Sequence, residues 1–311
     1  MFKKNYLESF PTILTRKIIY IINPISGTRK KDGLKSLIEQ ETKKQDIPFT
    51  IFPSVASGDY SFLKNIVREE KITDIAIAGG DGTVSQVVGS LMNKELNFGI
   101  IPCGSGNGLA LAAKIPVQRK PAIANIFSGH GALIDGFKVN EKFACMLCGI
   151  GFDAKVAHDF ANQPRRGLRT YIKEVLKNFI SAKTYSFELQ VKNKKFKTEA
   201  YFISVANSNQ FGNKVTIAPK ASLTDGLLDV VIVTKQNKFS FLLQTLRQLI
   251  GWNQLQTEEI HEDKSVIYFQ TARIFIRNSG QAPIHIDGEP CNMVSELNIQ
   301  VVPKCFRLIQ P

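Results

Sequence analysis

The strongest constraint on this chain's fold is an apolar run, Asp74-Ile75-Ala76-Ile77-Ala78, that ends in Gly79-Gly80-Asp81-Gly82-Thr83 and continues directly into a helical pattern. Val84, Val87, Val88 and Leu91 stand at i, i+3, i+4 and i+7, so a strand hands over to a helix across a five-residue turn. The turn then lies at the carboxyl end of a strand and the amino end of a helix. Unpaired amide N–H groups and the helix dipole favour an anion there, and glycine lets the backbone come close to it. An acid in the same turn can serve a metal or a proton.

The same unit occurs twice more. Arg16 to Ile22 leads into Asn23-Pro24-Ile25-Ser26-Gly27, and Phe98 to Ile101 leads into Pro102-Cys103-Gly104-Ser105-Gly106-Asn107-Gly108. Three such turns predict an open parallel sheet in an α/β domain, with one nucleotide-sized site at the strands' carboxyl ends. From Leu133 the pattern changes to short β-rich runs, among them Leu133–Val139, Phe143–Gly149, Tyr201–Ala206, Leu228–Val233 and Pro283–Ile286. These predict a second, mostly antiparallel β-sandwich domain. The expected division is an α/β domain over 1–132, rejoined by 300–311, and a β-rich domain over 133–299. Two helical patterns interrupt the second part: Leu168 to Lys183, basic and amphipathic, and Phe239 to Trp252, with an apolar stripe. Each reads as packed core or as an element resting on a membrane surface.

The length of 311 residues fits about two domains. A net charge of +13 favours anionic partners, yet the basic residues are dispersed and not interleaved with aromatics, which disfavours nucleic acid. No apolar run approaches the roughly 18 residues of a spanning helix, and Met1 to Glu8 lacks the apolar core of a signal peptide. Five scattered cysteines argue against a disulfide framework, and Cys145 and Cys148, inside one strand-like run, read as buried strand cysteines rather than half a zinc site.

Several chemistries are poorly supported. No glycine is followed by lysine, which removes a Walker A loop, and Gly104 to Gly108 misses the dinucleotide fingerprint by one residue. No Gly-x-Ser-x-Gly elbow accompanies His130, His158, His261 and His285, and His285 reads as a structural histidine in a β-like run.

Six motifs stand in order: Asn23-Pro24-x-Ser26-Gly27, Gly79-Gly80-Asp81-Gly82-Thr83, Gly104-Ser105-Gly106-Asn107, Gly149-Ile150-Gly151-Phe152-Asp153, Asp225-Gly226-Leu227-Leu228-Asp229 and Asp287-Gly288-Glu289. With them the chain resembles the diacylglycerol kinase catalytic-domain family of lipid kinases, which includes bacterial diacylglycerol kinases and the sphingosine and ceramide kinases. The resemblance covers nearly the whole chain. It implies ATP-dependent transfer of the γ-phosphate to the hydroxyl of a lipid alcohol, diacylglycerol or sphingoid-type, with Mg²⁺. The second domain then becomes the lipid-substrate domain.

Position by position, the resemblance implies that Asn23, Ser54, Gly79, Gly80, Asp81, Gly82, Thr83, Ser105 and Glu289 hold ATP. Asp225 and the backbone carbonyls of Ser222 and Leu227 match a Mg²⁺ site, Asp287 the proton acceptor, and Asp135 a contact to the lipid's polar head. Asp81 is the rival base, or an organiser of metal and phosphate. The implied location is cytoplasmic, peripheral to the inner face of the membrane with transient surface association; a homodimer stays open. The alternatives are an NAD kinase, on Gly79 to Thr83 alone, and a non-enzymatic lipid-binding protein. The chain departs from the family at Ser85-Gln86, where many relatives have Asn-Glu, and at Gly108, where many bacterial members have aspartate.

Overall fold

The computed structural model describes residues 16–26, 33–161, 163, 168–212, 215–216, 218, 220–237 and 264–311. Met1 to Glu8, Gly27, His261 and the helical pattern Phe239 to Trp252 lie outside the described residues.

Strands β1 (Ile18–Ile22), β2 (Phe49–Pro53), β3 (Asp74–Gly79) and β4 (Asn97–Pro102) pair in parallel in the order β2-β1-β3-β4. Helices α1 (Leu34–Lys43), α2 (Leu63–Glu69), α3 (Asp81–Leu91), α4 (Gly108–Ala112) and α5 (Arg119–Ser128) complete this part. Alternate strand residues point to opposite faces. Ile19, Ile21, Ile75 and Ile77 accordingly pack with Val84, Val87 and Val88 of α3, while Ile18, Tyr20, Ala76 and Ala78 pack with Leu34, Ile38, Ile123 and Ile126 of α1 and α5. Every residue of β3 is buried, as a parallel strand covered on both faces requires. At its start, Arg16 donates from Nε and Nη2 to the two carboxylate oxygens of Asp74, each at 2.9 Å, which anchors the strand that delivers the glycine turn.

The second part contains β5 (His130–Val139), β6 (Lys142–Ala144), β7 (Leu147–Gly151), α6 (Phe152–Ala161), α7 (Leu168–Ile180), β8 (Tyr185–Val191) and β9 (Lys194–Ala206). The pair β10 (Gln210–Gly212) and β11 (Val215–Thr216) follows, then β12 (Leu228–Thr234), β13 (Val266–Thr271), β14 (Arg273–Arg277), β15 (Ile284–Ile286), β16 (Glu289–Cys291) and β17 (Glu296–Gln310). Pairing among β5 to β9 and β12 to β16 is antiparallel. Phe187, Ile203, Val205, Val230, Ile232, Phe269, Ile274 and Ile276 form its core.

One long strand joins the parts. β17 runs antiparallel to β5 from Ile299 to Gln310 and lies parallel to β4 at Arg307 and Leu308, so a single sheet crosses from one half to the other. The run Lys142 to Gly149 departs from the single strand expected from its sequence. It breaks into β6 and β7 with Cys145 and Met146 between them, because the amides there turn toward a side chain of the second part. Cys145 and Cys148 are both buried, unbridged thiols, and burial holds each protonated.

Candidate active site

Adjacent pairing of β3 and β4 sets two glycine turns side by side. Their backbones touch: a Cβ on Gly104 would stand 2.6 Å from the Gly80 Cα, so a side chain at 104 would push the turns apart. The Cys103 amide donates to the Gly79 carbonyl at 2.8 Å. Asn107, at φ +51, clasps its own turn by accepting the Gly104 N–H at 2.8 Å and donating Nδ2 to the Gly104 carbonyl at 2.9 Å.

Asp81 ties the first turn to the second. Its carboxylate accepts the amide N–H groups of Gly108 at 3.0 Å and Leu109 at 3.1 Å. Asn23, just past β1, donates Nδ2 to Thr83 Oγ1 at 2.8 Å and accepts the Ile25 amide at 3.0 Å. Ser105 Oγ is buried and has no hydrogen-bond partner among the described residues. Asn23, Gly79 to Thr83 and Ser105 therefore converge on one edge of the sheet, with amides of the first turn of α3 beside them. Ser54 stands one strand further out, its amide donating to the Ile22 carbonyl at 2.9 Å.

The second part approaches this edge through the β15–β16 turn. Asp287 Oδ2 accepts the Ser85 hydroxyl and the Cys145 amide, while Oδ1 accepts the amides of Met146 at 3.0 Å and Leu147 at 2.8 Å. An ionised carboxylate offers about four lone-pair directions, and all are taken. Three donors are fixed backbone amides; the Ser85 hydroxyl can rotate. Burial raises the Asp287 carboxyl above its ordinary value against the opposing pull of those donors. Glu289 lies over Gly82, where a Cβ would stand 2.8 Å from Glu289 Oε1. A cavity of about 320 Å³ opens between the parts, lined by Gly82, Ser85 and Gln86 of α3, by Lys142 and Phe143 of β6, and by Asp287 and Glu289.

Asp81 differs from Asp287. It is not among the residues that line the cavity, and burial of its carboxyl pushes it up to about 6; two accepted amides oppose the shift and the charge of Asp287 adds to it.

Two regions of sequence interest lie elsewhere. Ser222, Asp225 and Leu227 occupy the turn before β12, where Asp225 Oδ1 accepts the Leu227 amide at 3.0 Å. Burial, and then neighbouring Asp135, raise the Asp225 carboxyl. Asp135 is fully buried, and both its oxygens hold backbone: Oδ2 accepts the Gly226 amide and Oδ1 the Lys304 amide, each at 2.7 Å. In this structure it clasps the 222–227 turn to β17 and does not line the cavity. Sequence reasoning missed Ser85 as a partner of Asp287. Its position one helical turn after Asp81 was readable, but a contact across 202 residues was not.

Residues 17–139 match the family profile described as the diacylglycerol kinase catalytic domain, and residues 147–310 the one described as the YegS C-terminal NAD kinase beta sandwich-like domain. A diacylglycerol kinase of Bacillus subtilis (strain 168) is 26% identical over 278 residues, covering 88% of this chain and 89% of that one. An uncharacterized Synechocystis protein is 25% identical over 308 residues, covering 94% of this chain and 69% of its own length. Two crystal structures from Bacillus anthracis strain Sterne share the fold. One has a TM-score of 0.78 at 20% identity over 97% of this chain and 99% of that one. The other, a diacylglycerol kinase, has a TM-score of 0.71 at 18% identity over 95% and 97%.

The raised pKa of Asp81 has a measurable consequence of definite sign. Unfolded Asp81 ionises near 3.8 and folded Asp81 near 6, so between those values the folded state binds more protons and stability falls as pH rises. Urea unfolding across a pH series is expected to show wild type losing stability relative to Asp81→Asn from about pH 4 to about pH 6, with a constant gap above about pH 7. A gap independent of pH throughout would contradict the burial of this carboxyl.

Proposed function

The chain belongs to the diacylglycerol kinase catalytic-domain family of lipid kinases, and from that premise we propose that it transfers the γ-phosphate of ATP to the hydroxyl of a lipid alcohol, diacylglycerol or sphingoid-type, with Mg²⁺. The observation that carries this reading is the approach of Asp287, from the second part, to Ser85 on the helix that begins at the Gly79 to Thr83 turn. Phosphoryl transfer needs neutralised phosphate charge, an oriented hydroxyl and an acceptor for its proton.

The residues divide those tasks. The amides of Gly80 to Thr83 and the orphaned Ser105 hydroxyl suit the ATP phosphates, with Asn23, Ser54 and Glu289 as further nucleotide contacts. Asp287 takes the proton of the lipid hydroxyl. Its access route is the Ser85 side: the serine hydroxyl turns away from Oδ2 and the incoming alcohol donates in its place. Asp81 holds the two glycine turns in register, its carboxylate engaged by the Gly108 and Leu109 amides. Asp225 and the carbonyls of Ser222 and Leu227, which share one turn, would supply oxygen ligands of the kind Mg²⁺ prefers. Bound there, Mg²⁺ supplies positive charge next to the 222–227 turn. Asp135 supports the lipid side through that turn.

Support for an NAD kinase is weaker, since the matched catalytic profile and the relatives are those of lipid kinases. A non-enzymatic lipid-binding protein would have no use for an acid presented against a phosphate-binding turn. No described helix is long and apolar enough to cross a membrane. We place the protein at the inner membrane face, peripherally, because α7 exposes Ile172 and Leu176 beside Lys173 and Lys177.

With dioleoylglycerol and sphingosine as acceptors, Asp287→Asn is expected to lower kcat by about 10³-fold while ATP still binds. Asp81→Asn is expected to weaken ATP binding as the glycine turns separate. Near-normal turnover by Asp287→Asn would overturn the assignment and make Asp81 the base. Leu176→Asp is expected to reduce co-sedimentation with anionic phosphatidylglycerol vesicles several-fold, about 1 kcal/mol or more of apolar contact. Unchanged co-sedimentation would remove α7 as the docking face.

A further inference from the structure

Behind the Asp287 turn lies a buried pair that the proposed transfer does not touch. His285 on β15 is fully buried opposite Gly149 of β7. Its Nδ1 accepts the amide N–H of Gly288 at 3.2 Å. A ring nitrogen that accepts carries no hydrogen, so neutral His285 carries its proton on Nε2. That nitrogen faces Asp153 Oδ2 at 3.6 Å, beyond a hydrogen bond but a favourable polar approach in a dry setting. Asp153 is buried too, and its Oδ1 accepts the Ala154 amide at 2.7 Å, which fixes it at the start of α6.

Glycine at 149 makes this arrangement fit. A Cβ there would stand 2.2 Å from His285 Nε2 and 2.3 Å from Asp153 Oδ2. The motif Gly149-Ile150-Gly151-Phe152-Asp153 thus supplies both the gap for the imidazole and the acid that faces it.

We propose that His285, aimed by Asp153, is a positioning residue that fixes the Asp287-Gly288-Glu289 turn of the site. The inference rests on the lipid-kinase reading for the reaction it affects. The turn takes two successive left-handed residues, Asp287 at φ +50 and Gly288 at φ +81. Such a conformation persists where its surroundings over-determine it. The Asp287 carboxylate has four donors of its own, whereas the peptide between Asp287 and Gly288 is held through the Gly288 amide. Glu289 is held separately by its pairing with Ile286, so His285 acts on how rigidly Asp287 is presented.

The test compares substitutions by what they leave at the Nδ1 position. His285→Asn puts an amide oxygen near that point, and His285→Leu fills the space without an acceptor. With ATP and dioleoylglycerol micelles, or sphingosine where wild type uses it, His285→Leu is expected to lower kcat about 10- to 100-fold through misplacement of the turn. KM for ATP should stay within about 3-fold, and His285→Asn should recover most of kcat. Asp153→Ala, which leaves His285 in place, should lower kcat in the same direction and covers the case in which His285→Leu does not fold. Long-range ¹H–¹⁵N spectra of wild type, assigned against His285→Asn, should show Nδ1 unprotonated. Wild-type kcat in both His285→Leu and Asp153→Ala, equal impairment by Leu and Asn, or a proton on Nδ1 would overturn the proposal. A wild-type protein inactive on both lipids would instead sink the lipid-kinase reading, and the spectra would still decide the His285–Gly288 bond.

Discussion

The contact on which the rest of the site depends is the Asp287 carboxylate, closed on one side by Ser85 of α3 and on the other by the amides of Cys145, Met146 and Leu147. Each donor imposes a condition on the fold. The amides turn inward at the break between β6 and β7, and Ser85 is in reach because α3 starts where β3 ends. Asp287 presents its carboxylate from a left-handed residue, which glycine then continues. Burial raises the acid while four donors lower it; burial is the larger effect, so the carboxyl sits above its ordinary value despite its many hydrogen bonds.

The first part contributes a floor of two glycine turns tied to each other. Asp81 and Asn107 bind their neighbours' amides, and Gly80 and Gly104 meet backbone to backbone. Such preorganised donors need little rearrangement when charge develops, which is where electrostatic catalysis is most effective. β17 joins the two parts in one sheet, because the strand that pairs with β5 also pairs with β4.

Much of this was legible in the chain itself. The glycine turns, the parallel order and the change to β-rich runs follow from apolar spacing and from glycine, both local signals. The break at Cys145–Met146 was hidden, since an unbroken apolar run looks like one strand until a distant acid claims its amides. The resemblance implies a lipid-head contact for Asp135, and what the sequence did not show is that its oxygens accept the amides of Gly226 and Lys304. Ser85 and the Asp153–His285 pair were invisible for the same reason: their partners lie far along the sequence, and a single chain carries no record of which distant groups meet.

The central claim is that the cleft moves phosphate from ATP to a lipid hydroxyl. The most direct measurement incubates the protein with γ-labelled ATP, Mg²⁺, a total lipid extract and NAD together, then identifies every labelled product by mass spectrometry. The account predicts label on a lipid alcohol and none on NAD. Label on NAD alone, or recovered solely as inorganic phosphate, would contradict it.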